Sequence, residues 1–183
     1  MRNIYLIRHG ETDLNKRRAF YGSLDVPINE TGIEQANTLK EKFSRQSIET
    51  LYVSGMKRAN MTADIIFPNE VKKIDIRLNE KGFGKWEGLI ADEIEAAFPS
   101  EWEKWLNEPF DYTPPGAESF AEFKERVLTG FEDILSKSTG DLAVVCHLGV
   151  IRVIVEAYQN TNDFWSIKLD QDSWIELTIE EKD

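Results

Sequence analysis

The sequence predicts an α/β fold: a three-layer sandwich whose mostly parallel sheet lies between helices on both faces. Three observations lead there. Short apolar runs alternate with longer stretches whose apolar residues recur every three or four positions. One run, DLAVVC at residues 141–146, is apolar almost throughout, as expected of a strand covered on both sides. The length of 183 residues, with 41% apolar, suits one core better than two, so residues 1–183 are expected to form a single domain.

The predicted strands are residues 3–7, 50–54, 73–77, 141–146 and 173–179, rich in Ile, Val, Leu or Tyr and bounded by polar residues or glycine. The predicted helices are 30–45, 56–67, 90–98, 118–136 and 150–158. In the first helix, Ile33, Ala36, Leu39 and Phe43 share a face, with Thr31 as the expected cap. In the fourth, Phe120, Phe123, Val127, Phe131 and Leu135 form a stripe suited to the core. Residues 80–116 break the alternation. They carry Trp86, Trp102 and Trp105 with Pro99, Pro109, Pro114 and Pro115, a composition that suits a lid or side wall.

Charge and cysteine content exclude several classes. Acids outnumber bases 33 to 22, giving a formal charge of -11, which repels nucleic-acid backbones. Any anion site must therefore rest on a local cluster of positive groups. The single cysteine, Cys146, allows no internal disulfide and sits in an apolar run as a small buried hydrophobe. One Cys and two His are too few for a structural zinc site. The apolar run 4–7 is too short for a signal peptide, and no stretch reaches membrane-spanning length. A soluble cytoplasmic protein with neither membrane nor nucleic acid as partner is expected. The helix stripes call for core burial and demand no partner chain.

In open α/β folds, ligands bind beyond the carboxyl ends of the strands. The chain's two histidines both stand there: IYLI leads into Arg8-His9-Gly10, and LAVVC into His147-Leu148-Gly149. If those strands are neighbours, both imidazoles face one crevice, with Gly10 letting the chain turn. Arg8 and Arg58 add planar donor forks suited to phosphate, Arg58 at the start of a predicted helix. Thr12 and Asn15, one helical turn apart, offer uncharged hydrogen-bonding groups. Glu80 follows another predicted strand, where it is placed to act as a general acid, with Phe83 and Trp86 limiting its solvation. Glu87 is its rival.

Taken in order, RHGET followed by Asn15, YGSLDVPINETG, SGMKRANMTA, LNEKGFGKWEG and HLGVIR resemble the histidine phosphatase superfamily, the phosphoglycerate-mutase-like group. The motifs run from residue 8 to residue 152. The resemblance implies a nucleophilic His9, a phosphate pocket of Arg8, Arg58 and His147 lined by Asn15, and Glu80 as proton donor. Thr12, Tyr21, Gly22 and Leu148 are the further substrate-binding candidates. His147 is expected to carry a proton and assist as a cation, and His9 to be neutral. No metal or other cofactor is implied.

Two departures stand out. Ser54-Gly55-Met56 replaces the family's frequent Ser-Pro, and Leu148 stands where many members have Gly. The F-G-x-W-E-G form after Glu80 and the run PPGAES at 114–119 resemble the phosphatase branch, including the α-ribazole phosphatase type. The expected activity is hydrolysis of a small phosphomonoester, with α-ribazole 5′-phosphate as the named candidate. A phosphoglycerate mutase and a non-catalytic binder of phosphorylated ligands are the alternatives. Arg17, Arg18, Phe20, Tyr21 and the Trp-rich segment are expected to form the substrate wall.

Overall fold

The computed structural model describes residues 1–160 and 163–180. Its chain order is β1 (Arg2–Arg8), α1 (Asp13–Lys16), α2 (Glu30–Phe43), β2 (Thr50–Val53), α3 (Lys57–Ile66), β3 (Lys72–Ile74), α4 (Ala91–Ala97), α5 (Pro99–Asn107), α6 (Phe120–Lys137), β4 (Leu142–Cys146), α7 (Leu148–Gln159) and β5 (Trp174–Ile179). The strands form one sheet in the order β3-β2-β4-β1-β5. All pairings are parallel except β1 with β5.

Alternation along the strands builds the layers. Ile4 and Leu6 of β1 join Leu142 and Val144 of β4 against α6 and α7. Tyr5 and Ile7 join Ala143 and Val145 against α2 and α3. Every residue of β4 is buried, as its apolar run requires. Each such Leu, Ile or Phe contributes roughly 1.5–3 kcal/mol by leaving water. Burial in β4 pushes the Cys146 thiol up, so it stays protonated and inert.

Several boundaries differ from the sequence reading. Asn29, not Thr31, caps α2, its side chain accepting the Gly32 N–H. Ile33 is exposed, so the buried stripe of α2 runs through Gly32, Ala36, Leu39 and Phe43. β3 ends at Ile74, because Asp75 accepts the Arg77 N–H and opens a single 3-10 turn over Ile76–Leu78. Helix α5 was not foreseen. Pro99 sits in its first turn, where its missing N–H costs nothing. Helix α7 begins earlier than expected, so Leu148 and Gly149 lie in its first turn.

The segment after Glu80 packs as its own small cluster, with Trp86, Ile94 and Trp102 buried and Phe20, Phe83 and Trp105 against them. Among the described residues, no helix is long and apolar enough to cross a membrane.

Candidate active site

β1 and β4 are paired neighbours in register, Arg8 opposite Cys146, so His9 and His147 emerge side by side. The His9 N–H donates to the Cys146 carbonyl at 3.1 Å. Their ring centroids are 5.2 Å apart. His9 is 4% exposed and His147 is fully buried.

Hydrogen bonds set the tautomers. His9 Nδ1 lies 2.7 Å from the Gly10 carbonyl, which can only accept. The proton therefore sits on Nδ1, and Nε2 carries a free lone pair. His147 Nε2 is 2.8 Å from the Ser54 hydroxyl, whose oxygen also accepts the Met56 N–H. With the hydroxyl proton in the bond to Nε2, Nδ1 is left as the N–H donor. Burial, followed by the Arg58 guanidinium, holds both imidazoles well below their ordinary range. This corrects one expectation: in the free protein His147 is neutral rather than cationic, because β4 carries it fully out of water beside Arg58.

The arginines come from two directions. Arg8 closes β1 and donates through Nη1 to the Leu169 carbonyl at 3.0 Å. Arg58, in the first turn of α3 and 1% exposed, donates to the Gly22 and Leu24 carbonyls, each at 2.9 Å. Its guanidinium lies 4.7 Å from the Tyr21 ring. Burial lowers both arginines from their usual value, opposed by Glu80 for Arg8 and by Tyr21, then Glu80, for Arg58. Three buried polar atoms here have no partner: Arg8 Nε, Arg58 Nε and His147 Nδ1. Buried donors left unpaired cost free energy, and all three belong to residues able to hold a phosphoryl oxygen.

Glycine acts here through close approach. A Cβ at Gly10 would lie 2.5 Å from the Gly32 carbonyl oxygen, so the His9 turn packs directly on the start of α2. Gly10 is thus needed for packing rather than for an unusual backbone angle. A Cβ at Gly149 would lie 2.4 Å from Glu80 Oε1. The Gly149 N–H instead donates to Glu80 Oε2 at 3.0 Å, and the Lys81 N–H to Oε1 at 2.9 Å.

A cavity of about 350 Å³ opens beside this floor. Arg8, Asn15, Tyr21, Glu80 and Leu148 line it, so the end of β1, the helices α1 and α7 and two loops meet there. The buried His9, Arg58 and His147 lie behind this lining, and Thr12 and Gly22 are outside it as well. The Thr12 hydroxyl is spent on Tyr21 at 2.6 Å and on capping α1, and Gly22 supports Arg58 through its backbone. The wall is mainly aromatic, with Phe20, Phe83, Trp105, Phe110, Phe164 and Trp165. Trp86 and Trp102 stay in their own cluster. Arg18 joins the wall from a left-handed backbone, φ 60°, while Arg17 turns away toward Glu93.

Four residues escaped the sequence reading. Thr62 accepts the Gly10 N–H and donates to the Arg58 carbonyl, tying the His9 turn to α3. Ser54 orients His147. Gln171 donates to the His9 carbonyl and to Asn15 Oδ1. Arg152 lines the cavity, and its place four residues after Leu148 was the available signal. Gln171 offered no local signal. Among the described residues, no group of three His, Cys, Asp or Glu is placed to hold a metal ion.

The model of the histidine phosphatase superfamily (branch 1) matches residues 4–183. The chain belongs to this superfamily. Phosphoserine phosphatase 1 of Hydrogenobacter thermophilus is 29% identical over 189 residues, covering 100% of this chain and 89% of the relative. Adenosylcobalamin/alpha-ribazole phosphatase of Escherichia coli is 27% identical, covering 98% of this chain and 91% of the relative. The crystal structure of the alpha-ribazole phosphatase from Shigella flexneri superposes with a TM-score of 0.91 at 27% identity, covering 98% and 91% of the two chains. The mostly parallel sheet between two helical layers is thus a phosphoglycerate-mutase-like fold.

Proposed function

We propose that the protein hydrolyses a small phosphomonoester through a phosphohistidine on His9. The observation that carries this reading is the His9 geometry: a neutral imidazole, protonated at Nδ1 by its bond to the Gly10 carbonyl, beside two arginines with unpartnered Nε atoms. The His9 Nε2 lone pair attacks phosphorus, and the ester oxygen leaves on the opposite side. Arg8, Arg58 and the His147 Nδ1–H hold the equatorial oxygens. Glu80 gives a proton to the leaving oxygen and then takes one from the water that cleaves the P–N bond. Cationic side chains neutralise the developing charge, so the reading includes no metal.

The chain is read as one domain in which the segment 80–116 serves as a side wall, with Trp105 as its contact to substrate. A mainly aromatic wall favours an ester with a flat or apolar organic half over transfer between two phosphates. Among named compounds, α-ribazole 5′-phosphate fits that description and matches the name of one relative. A cytoplasmic setting goes with this reading and with a single buried thiol.

The test is a panel of phosphomonoesters containing α-ribazole 5′-phosphate, phosphoserine, phosphoglycerates and a generic aryl phosphate, with and without chelator. Hydrolysis that survives chelator, with acid-labile label trapped on the protein and lost in His9→Ala, is the expected result. Absence of turnover across acid to neutral pH leaves a binder of phosphorylated ligands.

A further inference from the structure

Glu87 competed with Glu80 for the role of proton donor, and the structure gives its carboxylate a different task. Oε1 accepts the N–H groups of Gly22 at 3.0 Å, Ser23 at 2.9 Å and Phe83 at 2.9 Å. Oε2 accepts from Gly22 at 3.0 Å and makes a longer contact with the Leu24 N–H, 3.4 Å. With its oxygens engaged by backbone, Glu87 does not line the aromatic-walled cavity beside the histidines, although it meets Glu80 in a second, more polar one.

The Ser23 N–H is one half of the Gly22–Ser23 peptide group. The other half, the Gly22 carbonyl, accepts Arg58 Nη2 at 2.9 Å. In a trans peptide the N–H and C=O point in opposite directions. Glu87 and Arg58 therefore hold opposite ends of one peptide group. On either side of Leu24 the two residues hold successive peptides: the Leu24 N–H, in the Ser23–Leu24 peptide, faces Glu87, and the Leu24 carbonyl, in the peptide after it, accepts Arg58 Nη1 at 2.9 Å.

We propose that Glu87 is a positioning residue for Arg58, acting through the backbone of residues 22–24. A carboxylate bonded to an N–H polarises that peptide and strengthens its carbonyl as an acceptor. The Gly22 carbonyl, fixed in this way, and the neighbouring Leu24 carbonyl take both Nη atoms of Arg58, which leaves the Nε edge of the fork unpartnered. Glu87 is also one of the carboxylates whose charge offsets the burial of Arg58. The Phe83 N–H bond extends the same control to the aromatic wall, so one side chain sets floor and wall together. Among the described residues, neither Arg58 nor the turn at 22–24 has another side-chain carboxylate bonded to it.

The proposal rests on the reading of Arg58 as a phosphate ligand, so its test is binding rather than turnover. Inorganic phosphate is titrated calorimetrically into wild type, Glu87→Gln, Arg58→Met and the double variant. Glu87→Gln sets an amide N–H₂ against backbone N–H groups. It should weaken phosphate binding about ten- to a hundredfold when Arg58 is present. With Arg58→Met in place, the same change should cost less than about twofold, because coupled residues are non-additive. Equal losses in both backgrounds, or none in either, overturn the proposal. If Glu87→Gln does not fold, Glu87→Asp enters the same cycle. Failure of both to fold also overturns it, since Glu87 would then support the fold at large. Wild type that binds no phosphate removes the underlying reading of the site, a result separate from a cycle that closes additively.

Discussion

His9 and His147 stand at the ends of two paired strands, whereas Phe20, Phe83 and Trp105 stand on turns and a short helix with no strand beneath them. The floor is fixed by hydrogen bonds that dictate tautomers and donor directions. The wall is fixed by ring edges. Phe20 meets Phe83 and Trp105 edge-on at 5.5 Å each, and Trp105 stacks on Trp102 at 5.3 Å. Directional bonds to a buried sheet hold reacting groups to small tolerances. Aromatic contacts are worth about 0.5–1.5 kcal/mol beyond burial and accept rearrangement. Under the proposed function, the difference would give chemistry to the floor and choice of organic group to the wall.

The sharpest way to break this division is Gly149→Ala. A Cβ there falls 2.4 Å from Glu80 Oε1 and must displace the carboxylate or α7. The expected result is a loss of about a hundredfold in kcat on every phosphate ester, with KM little changed. Steady-state kinetics on a small and a bulky ester checks it. A loss confined to the bulky ester would assign Gly149 to the wall.

The second effect concerns pH. Both imidazoles are held below their ordinary value near 6.5, largely by burial. Below about pH 6.5 the unfolded chain binds protons that the folded chain refuses, so the folded state loses stability as pH falls. Above that value this contribution is complete. Thermal unfolding should show the midpoint dropping between pH 7 and pH 5. On the proposed mechanism His9 attacks as a neutral imidazole, so its lowered value should put the acidic limb of kcat/KM below pH 6.5. Replacing wall aromatics should move neither curve.

The smallest effect belongs to the wall. Trp105→Ala should raise KM for a bulky aromatic ester about tenfold and leave the smallest ester within about twofold. Equal loss on both esters would show the wall acting on the chemistry.

The floor was more legible than the wall, for physical reasons. An apolar run that halts at Arg-His-Gly announces a strand end, and two such endings point to one crevice. Continuous apolar runs placed β1 and β4 correctly because both faces of the sheet are covered. By contrast, α5 begins at Pro99 directly after α4, a junction that composition alone reads as a loop. The neutral state of His147 depends on burial, which only the assembled fold provides, and on Arg58, which reaches it from α3 through space. The same holds for Gln171 on Asn15, and for Glu87, whose partners are backbone groups with no signature in the sequence. The uncharged hydroxyl of Thr12 suits a contact to substrate, but its bonds go to Tyr21 and to the cap of α1, and the Gly22 carbonyl goes to Arg58.

The strand order places β4 between β1 and β2, although β4 is the fourth strand to be synthesised. A nascent chain that has delivered β1, β2 and β3 cannot close its sheet, because the middle position belongs to residues 142–146. Pairings that span so much sequence slow folding. Until β4 emerges from the ribosome, His9 has no partner strand on that side and the phosphate cluster has no second histidine. On the proposed mechanism, reactivity therefore switches on late in the life of the polypeptide, at the step that joins β1 to β2 and leaves only β5 to add.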